Sequence, residues 1–269
     1  MFFAPEQFAV YQSAALALQR QLPLIAGGLI GAAAIAVLVH GTVVPQSRLL
    51  MPVLSRAANP ALPRVALTFD DGPWPEATGA ILDLLKANCI HAAFFVIGQN
   101  AVRWPDLVRR MHDEGHIVGN HTFDHHRFGS FRGLSYWRDQ LARTDNAVSS
   151  IIGLRPALFR PPMGIKSPLL AAILRETAHT PVTWNRRGLD GVDAQPETIV
   201  RNVTQKLRAG DIMLLHDGRD SASRRDAQST VAALPEVIRS TRARELEFVS
   251  LSDHLAVQPY RAAATRQPA

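Results

Sequence analysis

From Arg64 to residue 255 the chain alternates short apolar runs with segments of helical period, and that alternation leaves few architectures open. The apolar runs predict strands over 65–69, 92–97, 116–118, 157–159, 182–184, 211–215 and 248–251. Between them, apolar residues at helical spacing predict helices over 76–87, 101–114, 135–152, 167–177, 196–208 and 227–241. Ser135 is placed to cap the helix beginning there, and glycines such as Gly115, Gly153 and Gly210 to end helices. A strand, a helix and a second strand join one sheet as a right-handed parallel crossover. Such a chain folds as an α/β protein, either a parallel β/α barrel or an open doubly wound sheet.

Upstream, residues 22–39 carry no charge, and the apolar character continues to Val44. About 20 helical residues cross a bilayer core of ~30 Å, so this stretch is expected to be a transmembrane anchor. A buried core helix would show a polar stripe, and a signal peptide would show a short basic start; neither is present. Arg20 on one side, against Arg48, Arg56 and Arg64 on the other, leans toward a catalytic domain in the cytoplasm. The lean is small, and the side of a bacterial inner membrane stays open. The expected organisation is an N-terminal segment (1–21), the anchor (22–44), a proline-bearing linker (45–61), one catalytic domain (62–255) and a disordered tail (256–269).

The net charge of +6 invites a nucleic-acid partner. The only lysines are Lys86, Lys166 and Lys206, the arginines are scattered, and no nucleic-acid motif accompanies them. No nucleic-acid partner is expected, whereas a basic surface suits anionic lipid headgroups. The single Cys89 allows no internal disulfide and is expected to be a small buried hydrophobe.

The polar clusters keep one phase: each follows the C-terminal end of a predicted strand. Asp70 and Asp71 follow the first, His121 and His125 the third and Arg160 the fourth. Asp190 comes shortly after the fifth, and His216 closes the sixth. In a parallel barrel those ends converge on the face where active sites form. Two adjacent carboxylates before Gly72-Pro73 can divide labour, one ligating a metal and the other staying free as a base. By itself, the stretch reads better as a solvated Asp-Gly-Pro turn. His121 and His125, four apart, would share one side of a helical turn. With one carboxylate they make a three-ligand site with room for water, suited to zinc and also open to cobalt or manganese. His91, His112, His179 and His254 are expected to be fillers, and His116 and His126 neighbours without a role.

Thr68-Phe-Asp-Asp-Gly-Pro73, His121-Thr-Phe-Asp-His125, Phe159-Arg-Pro-Pro-Met-Gly164 and Leu214-Leu-His216, in this order, resemble the polysaccharide deacetylase family. This is carbohydrate esterase family 4, the NodB homology domain, and the resemblance spans 62–255. It implies a distorted β/α barrel, a divalent metal and hydrolysis of acyl groups on sugars. It further implies that Asp71, His121 and His125 hold the metal, and that Asp70 is the general base with Arg160 paired to it. The Met163 amide would stabilise the oxyanion, His216 would be the general acid oriented by Asp190, and Leu214 would line the acyl pocket.

Three positions depart from the family pattern. Met163 stands where an aromatic residue is frequent, Gly191 where tryptophan is common, and Arg187 where an acidic residue is frequent. Gly191 removes a pocket wall and Arg187 adds a cation near the cleft, which suggests a larger or anionic acceptor. The expected partner is an amino-sugar glycan or a glycolipid at a membrane, and the oligomeric state is unspecified. A deacetylase or deformylase of a lipid-linked amino sugar is the alternative. A glycan-binding protein without turnover would have lost one of these groups, and a two-metal phosphatase or nuclease needs more carboxylates close together.

Overall fold

The computed structural model describes residues 31–126, 129, 132–191, 195–219 and 227–262. Its elements begin with β1 (Arg64–Asp70), α1 (Pro75–Ala87), β2 (Ala93–Val96), α2 (Gly98–Arg103), α3 (Pro105–Asp113), β3 (Ile117–Asn120) and α4 (Leu134–Ile152). There follow β4 (Leu154–Pro156), β5 (Leu158–Phe159), α5 (Pro168–Glu176), β6 (Thr180–Pro181), β7 (Arg186–Arg187) and α6 (Pro196–Thr204). The described elements end with β8 (Ile212–His216), α7 (Gln228–Arg242), β9 (Glu247–Phe248), α8 (Leu251–Leu255) and β10 (Tyr260–Ala262).

Seven parallel strands, in the order β6-β5-β3-β2-β1-β8-β7, form an α/β half-barrel, with β9 paired to the start of β1. The two ends of that order are neighbours along the chain. Val182 N–H donates to Phe159 O of β5 at 2.8 Å and Asn185 N–H to Ile212 O of β8 at 3.3 Å, so 182–185 bonds to the strands next to both edges. The predicted runs at 65–69, 92–97, 116–118, 157–159 and 211–215 become β1, β2, β3, β5 and β8, while 182–184 lies just past β6. The run at 248–251 is a strand only at its start, where Phe248 of β9 pairs in parallel with β1 off the main order, and a helix begins at Leu251. The seventh place in the main order belongs to β7, an edge pair of arginines with no apolar run to reveal it.

Strand parity sorts the side chains. Val65, Leu67 and Phe69 of β1 face the helices, together with Phe94, Val96, Val118, Met213 and Leu215. Ala66, Ala93, Phe95, Ile117, Leu158, Ile212 and Leu214 fill the barrel interior with Trp184. Each fully buried side chain of this size stabilises the fold by ~1.5–3 kcal/mol. The alternation also points Thr68 and Asp70 of β1, and His216 of β8, to the interior side, because successive residues of a strand face opposite ways.

Several expectations need correction. The helix predicted over 101–114 is two helices, because Pro105 disfavours helical backbone at Trp104 (φ −130°, ψ 59°). Ser135 lies inside α4, whose N-cap is Gly133, whereas Gly153 does end α4 with φ 74°. Cys89 is exposed in the turn after α1, at φ 54°. Part of the stretch expected to be a linker, 45–61, is packed. Met51 and Val53 lie in a core cluster with Trp137, Phe159 and Leu170, and Leu54 bridges Val182. Of the tail expected to be disordered, 256–262 is ordered. There β10 pairs with β4, Val118 N–H donates to Tyr260 Oη at 2.8 Å, and Arg261 meets the buried Asp145 at 3.0 Å. Residues 263–269, the N-terminal segment and 22–30 of the anchor lie outside the described residues. Among those described, no helix is long and apolar enough to cross a membrane. The described part of the anchor, 31–43, is helical, and its Ile35, Val37, Leu38 and Val39 are more than half exposed (65%, 54%, 53% and 51%).

His116 sits at the opposite end of β3 from His121, as a core histidine. Its Nδ1 accepts the Ala92 N–H at 3.1 Å and its ring meets Phe94 edge-on. Burial pushes its pKa down to about 4, below the ~6.5 of an unfolded chain. The unfolded state therefore binds the extra proton between those values. The stability at stake is whole above pH ~6.5 and lost as pH falls toward 4, by about 3 kcal/mol. Replacing His116 by Gln, which keeps an acceptor for Ala92, should flatten the decline in urea midpoint between pH 7 and pH 4. A decline as steep as the parent's would exonerate His116.

Candidate active site

The ends of β1, β3, β5 and β8 bring the predicted residues together. Asp71 follows β1 at φ 71°, a left-handed conformation that ends the strand and turns its carboxylate toward two histidines. Asp71 Oδ1 lies 3.4 Å from His121 Nε2 and 3.4 Å from His125 Nε2. One donor atom from each of the three residues falls within 4.8 Å of the others, and all three residues are buried. Tetrahedral ligands at ~2.0–2.1 Å from zinc stand about 3.3 Å apart, so these donors are spaced as a small divalent ion requires. His121 Nδ1 lies 2.8 Å from Arg160 O. A carbonyl can only accept, so Nδ1 carries the proton and Nε2 presents its lone pair to the site. Burial alone would raise the Asp71 carboxyl, but His125, His121 and His216 outweigh it and hold it well below the usual carboxylate range.

The two histidines do not share a helical turn. They lie on a loop in which Thr122 (φ 69°) and His125 (φ 50°) both take left-handed backbone. Met163 (φ 55°) and Leu189 (φ 63°), on the loops after β5 and β7, do the same. Such conformations cost ~1–3 kcal/mol each and persist where the surroundings over-determine them. Here Gln140 Oε1 accepts the Phe123 and Asp124 N–H groups at 2.9 and 3.0 Å, and Asn120 Oδ1 accepts that of Thr122 at 2.9 Å.

Asp70 faces elsewhere. Its Oδ1 accepts from Arg160 Nη1 at 2.8 Å, and its Oδ2 stands 3.8 Å from His121 Nε2. Arg160 is fully buried, lies 4.0 Å over the Phe95 ring and also donates to Thr68 Oγ1 at 2.8 Å. Burial pulls its pKa down, against the opposing pull of Asp70. On the other side His216 Nδ1 meets Asp190 Oδ1 at 3.0 Å. Asp190 Oδ2 accepts the His216 N–H at 2.7 Å and the Thr230 hydroxyl at 2.8 Å. Burial would raise Asp190, yet His216 and the Thr230 bond keep it below the ordinary value. Met163 is 47% exposed, and its amide donates to no acceptor among the described residues. Leu214 is buried in the barrel interior beside Trp184.

Besides Gln140, sequence reasoning missed four supporting residues. Thr68 shares the strand face of Asp70, a signal that period-two spacing offered. Thr230 on α7 had no such signal. Asp217 is buried, accepts from Thr78 Oγ1 at 2.7 Å, and is pushed up to about 7 by burial, with Asp71 and Asp70 adding to the shift. Gly218 must be glycine, since a Cβ there would stand 2.3 Å from Asp71 O. Arg187 does not join this cluster. With Arg186 and Lys206 it lines a groove of ≈ 290 Å³ to which none of Asp70, Asp71, His121, His125 or His216 contributes.

The family model described as polysaccharide deacetylase matches residues 57–182. A peptidoglycan-N-acetylglucosamine deacetylase of Bacillus cereus is 34% identical over 193 residues, 71% of this chain and 87% of that protein. A chitooligosaccharide deacetylase of Azorhizobium caulinodans is 32% identical over 189 residues, 67% of this chain and 89% of that one. Among solved structures, a peptidoglycan N-acetylglucosamine deacetylase bound to an N-oxidanyl-benzamide superposes with a TM-score of 0.72 at 30% identity. That alignment takes in 78% of this chain and 95% of the other.

Proposed function

The chain belongs to the polysaccharide deacetylase family and is a hydrolase of carbon–nitrogen bonds other than peptide bonds, and from that premise we propose that it removes an N-acyl group, foremost N-acetyl, from an amino sugar in a poly- or oligosaccharide. One observation carries the reading. The three-donor cluster Asp71, His121 and His125 shares one end of the barrel with an arginine-paired Asp70 and an aspartate-oriented His216. A divalent ion on those donors, zinc foremost with cobalt or manganese also compatible, would supply an acidified water and polarise the acyl carbonyl.

The chain's own groups supply the rest. Asp70, fixed by Arg160, accepts the proton of the attacking water. The Met163 N–H faces the charge that develops on the carbonyl oxygen, as a preorganised donor. His216, whose Nδ1–H is spent on Asp190, holds the departing proton at Nε2 and delivers it to the amine. A glycan-binding protein without turnover is disfavoured because every one of these groups is present. Acetate and formate release should be measured from a panel of amino-sugar substrates, soluble and lipid-linked, with and without metal stripping. Metal-dependent acetate release is expected; release that survives stripping, or none from any substrate, would overturn the reading.

We also propose that 22–44 anchors the protein in a membrane. The exposed apolar surface of the helix at 31–43 supports this, since an unpartnered apolar helix is unfavourable in water. The full-length protein should resist an alkaline carbonate wash of membranes; extraction by that wash would contradict the anchor.

A further inference from the structure

Where the apolar helix ends, the chain does not swing free. Lys166, with no exposed surface, donates from Nζ to Val44 O at 2.6 Å and to Pro45 O at 3.2 Å. Its backbone N–H donates to Thr42 O at 3.0 Å. Gln46 Nε2 donates to Trp184 O at 2.6 Å, and His40 Nδ1 meets the buried Ser47 Oγ at 3.1 Å. Pro45 closes on the loop that follows β5. A Cβ built on Gly164 (φ +70°) would stand 3.0 Å from Pro45 Cγ and 2.9 Å from Trp184 Cη2. The residue before Gly164 is Met163, whose amide serves the oxyanion in the proposed mechanism.

These contacts set a height. A flexible linker over 45–61 would let the domain wander by roughly 5–6 Å × √17, about 23 Å. The clamp removes that slack, because three backbone carbonyls, a buried ammonium and a proline contact tie 42–46 to the wall of the site. If 22–44 spans the bilayer, its last residues mark the boundary of the hydrocarbon core, and the Met163 loop touches the very next residue. The polar headgroup layer is only ~5–8 Å deep on each side. An amino sugar reaching Met163 therefore lies at the headgroups.

We infer that residues 41–47, clamped by Lys166, hold the Met163 loop at the membrane surface, so that the enzyme takes its amino sugar from a lipid-linked carrier in that membrane. The inference rests on the proposed deacetylation and on the proposed anchor. Its test uses the full chain in phosphatidylethanolamine–phosphatidylglycerol vesicles, with two probes. One is N-acetylglucosaminyl polyprenyl phosphate carried in both leaflets, and the other is soluble tri-N-acetylchitotriose. The variant inserts twenty Gly/Ser residues after Val39, which leaves 40–47 and the whole site in place but frees the domain by about 25 Å.

The parent should deacetylate the vesicle-borne probe with a kcat/KM at least tenfold above that for the soluble one. The spacer should lower the vesicle-borne value about tenfold, because orientation is lost although the tether persists, and should leave the soluble value alone. Equal values for both probes, or a spacer without effect, would overturn the inference while the deacetylase reading stands. Acetate from neither probe would sink both. Release of the parent from the vesicles by alkaline carbonate would remove the anchor and the inference with it.

Discussion

Asp70→Asn is expected to keep its metal and lose turnover by ~10²–10⁴-fold, the usual contribution of a general base, with the loss falling mainly on kcat. The geometry separates it from its neighbour. Asp70 points to Arg160 at 2.8 Å, while Asp71 points to both histidine Nε2 atoms at 3.4 Å. Asparagine still offers Arg160 an acceptor, which limits the cost of leaving that buried guanidinium without a carboxylate. His216→Ala should match Asp70→Asn on acetamido sugars, because an amine departs poorly without a proton. On an activated aryl ester, whose leaving group departs unprotonated, the His216 defect should shrink and the Asp70 defect persist. Equal defects for both variants on both substrates would contradict the division into base and acid.

The second large effect concerns the donors. His121→Ala/His125→Ala should lower zinc affinity by more than 100-fold, since losing even an outer partner of a metal ligand costs 10–100-fold. Binding to the folded state alone also stabilises a protein, by ~2.7 kcal/mol at a ligand concentration 100 times Kd. The parent's melting temperature should rise with added zinc, and that of the double variant should not. Asp71→Asn should stand between them, its activity partly restored by excess metal. A double variant that retains stoichiometric zinc after dialysis would refute the ligand set, whatever its activity.

Much of the chemistry was legible along the chain because a parallel β/α architecture ties function to strand ends. Asp70, His121, Arg160 and His216 each close or follow a strand that its apolar residues announce, and period-two alternation aims them inward with Ala66, Ile117 and Ile212. Five of the predicted strands were visible for the same reason. β7 was not, because an edge pair of arginines has no hydrophobic signature. Thr230 and Gln140 were not either. Thr230 reaches Asp190 from α7, and Gln140 reaches the backbone of Phe123 and Asp124 from α4, through side-chain bonds that leave no periodic trace.

Local sequence thus determined most of the order of strands and helices, the face on which the polar groups gather, and the residue types of the candidate metal site. Burial and periodicity act between neighbours in the chain, so they can be read there. The tertiary structure alone decided three further things. The His121–His125 pair meets Asp71 through left-handed loop residues rather than a helical turn. Residues 256–262 belong to the packed domain, held by Tyr260 and Arg261. The stretch after the apolar helix, proline-rich and without periodicity, is seated on the loop of Met163 by Lys166, more than a hundred residues away. Each of these depends on contacts between distant segments, whose closure is favourable only once the barrel has brought them together.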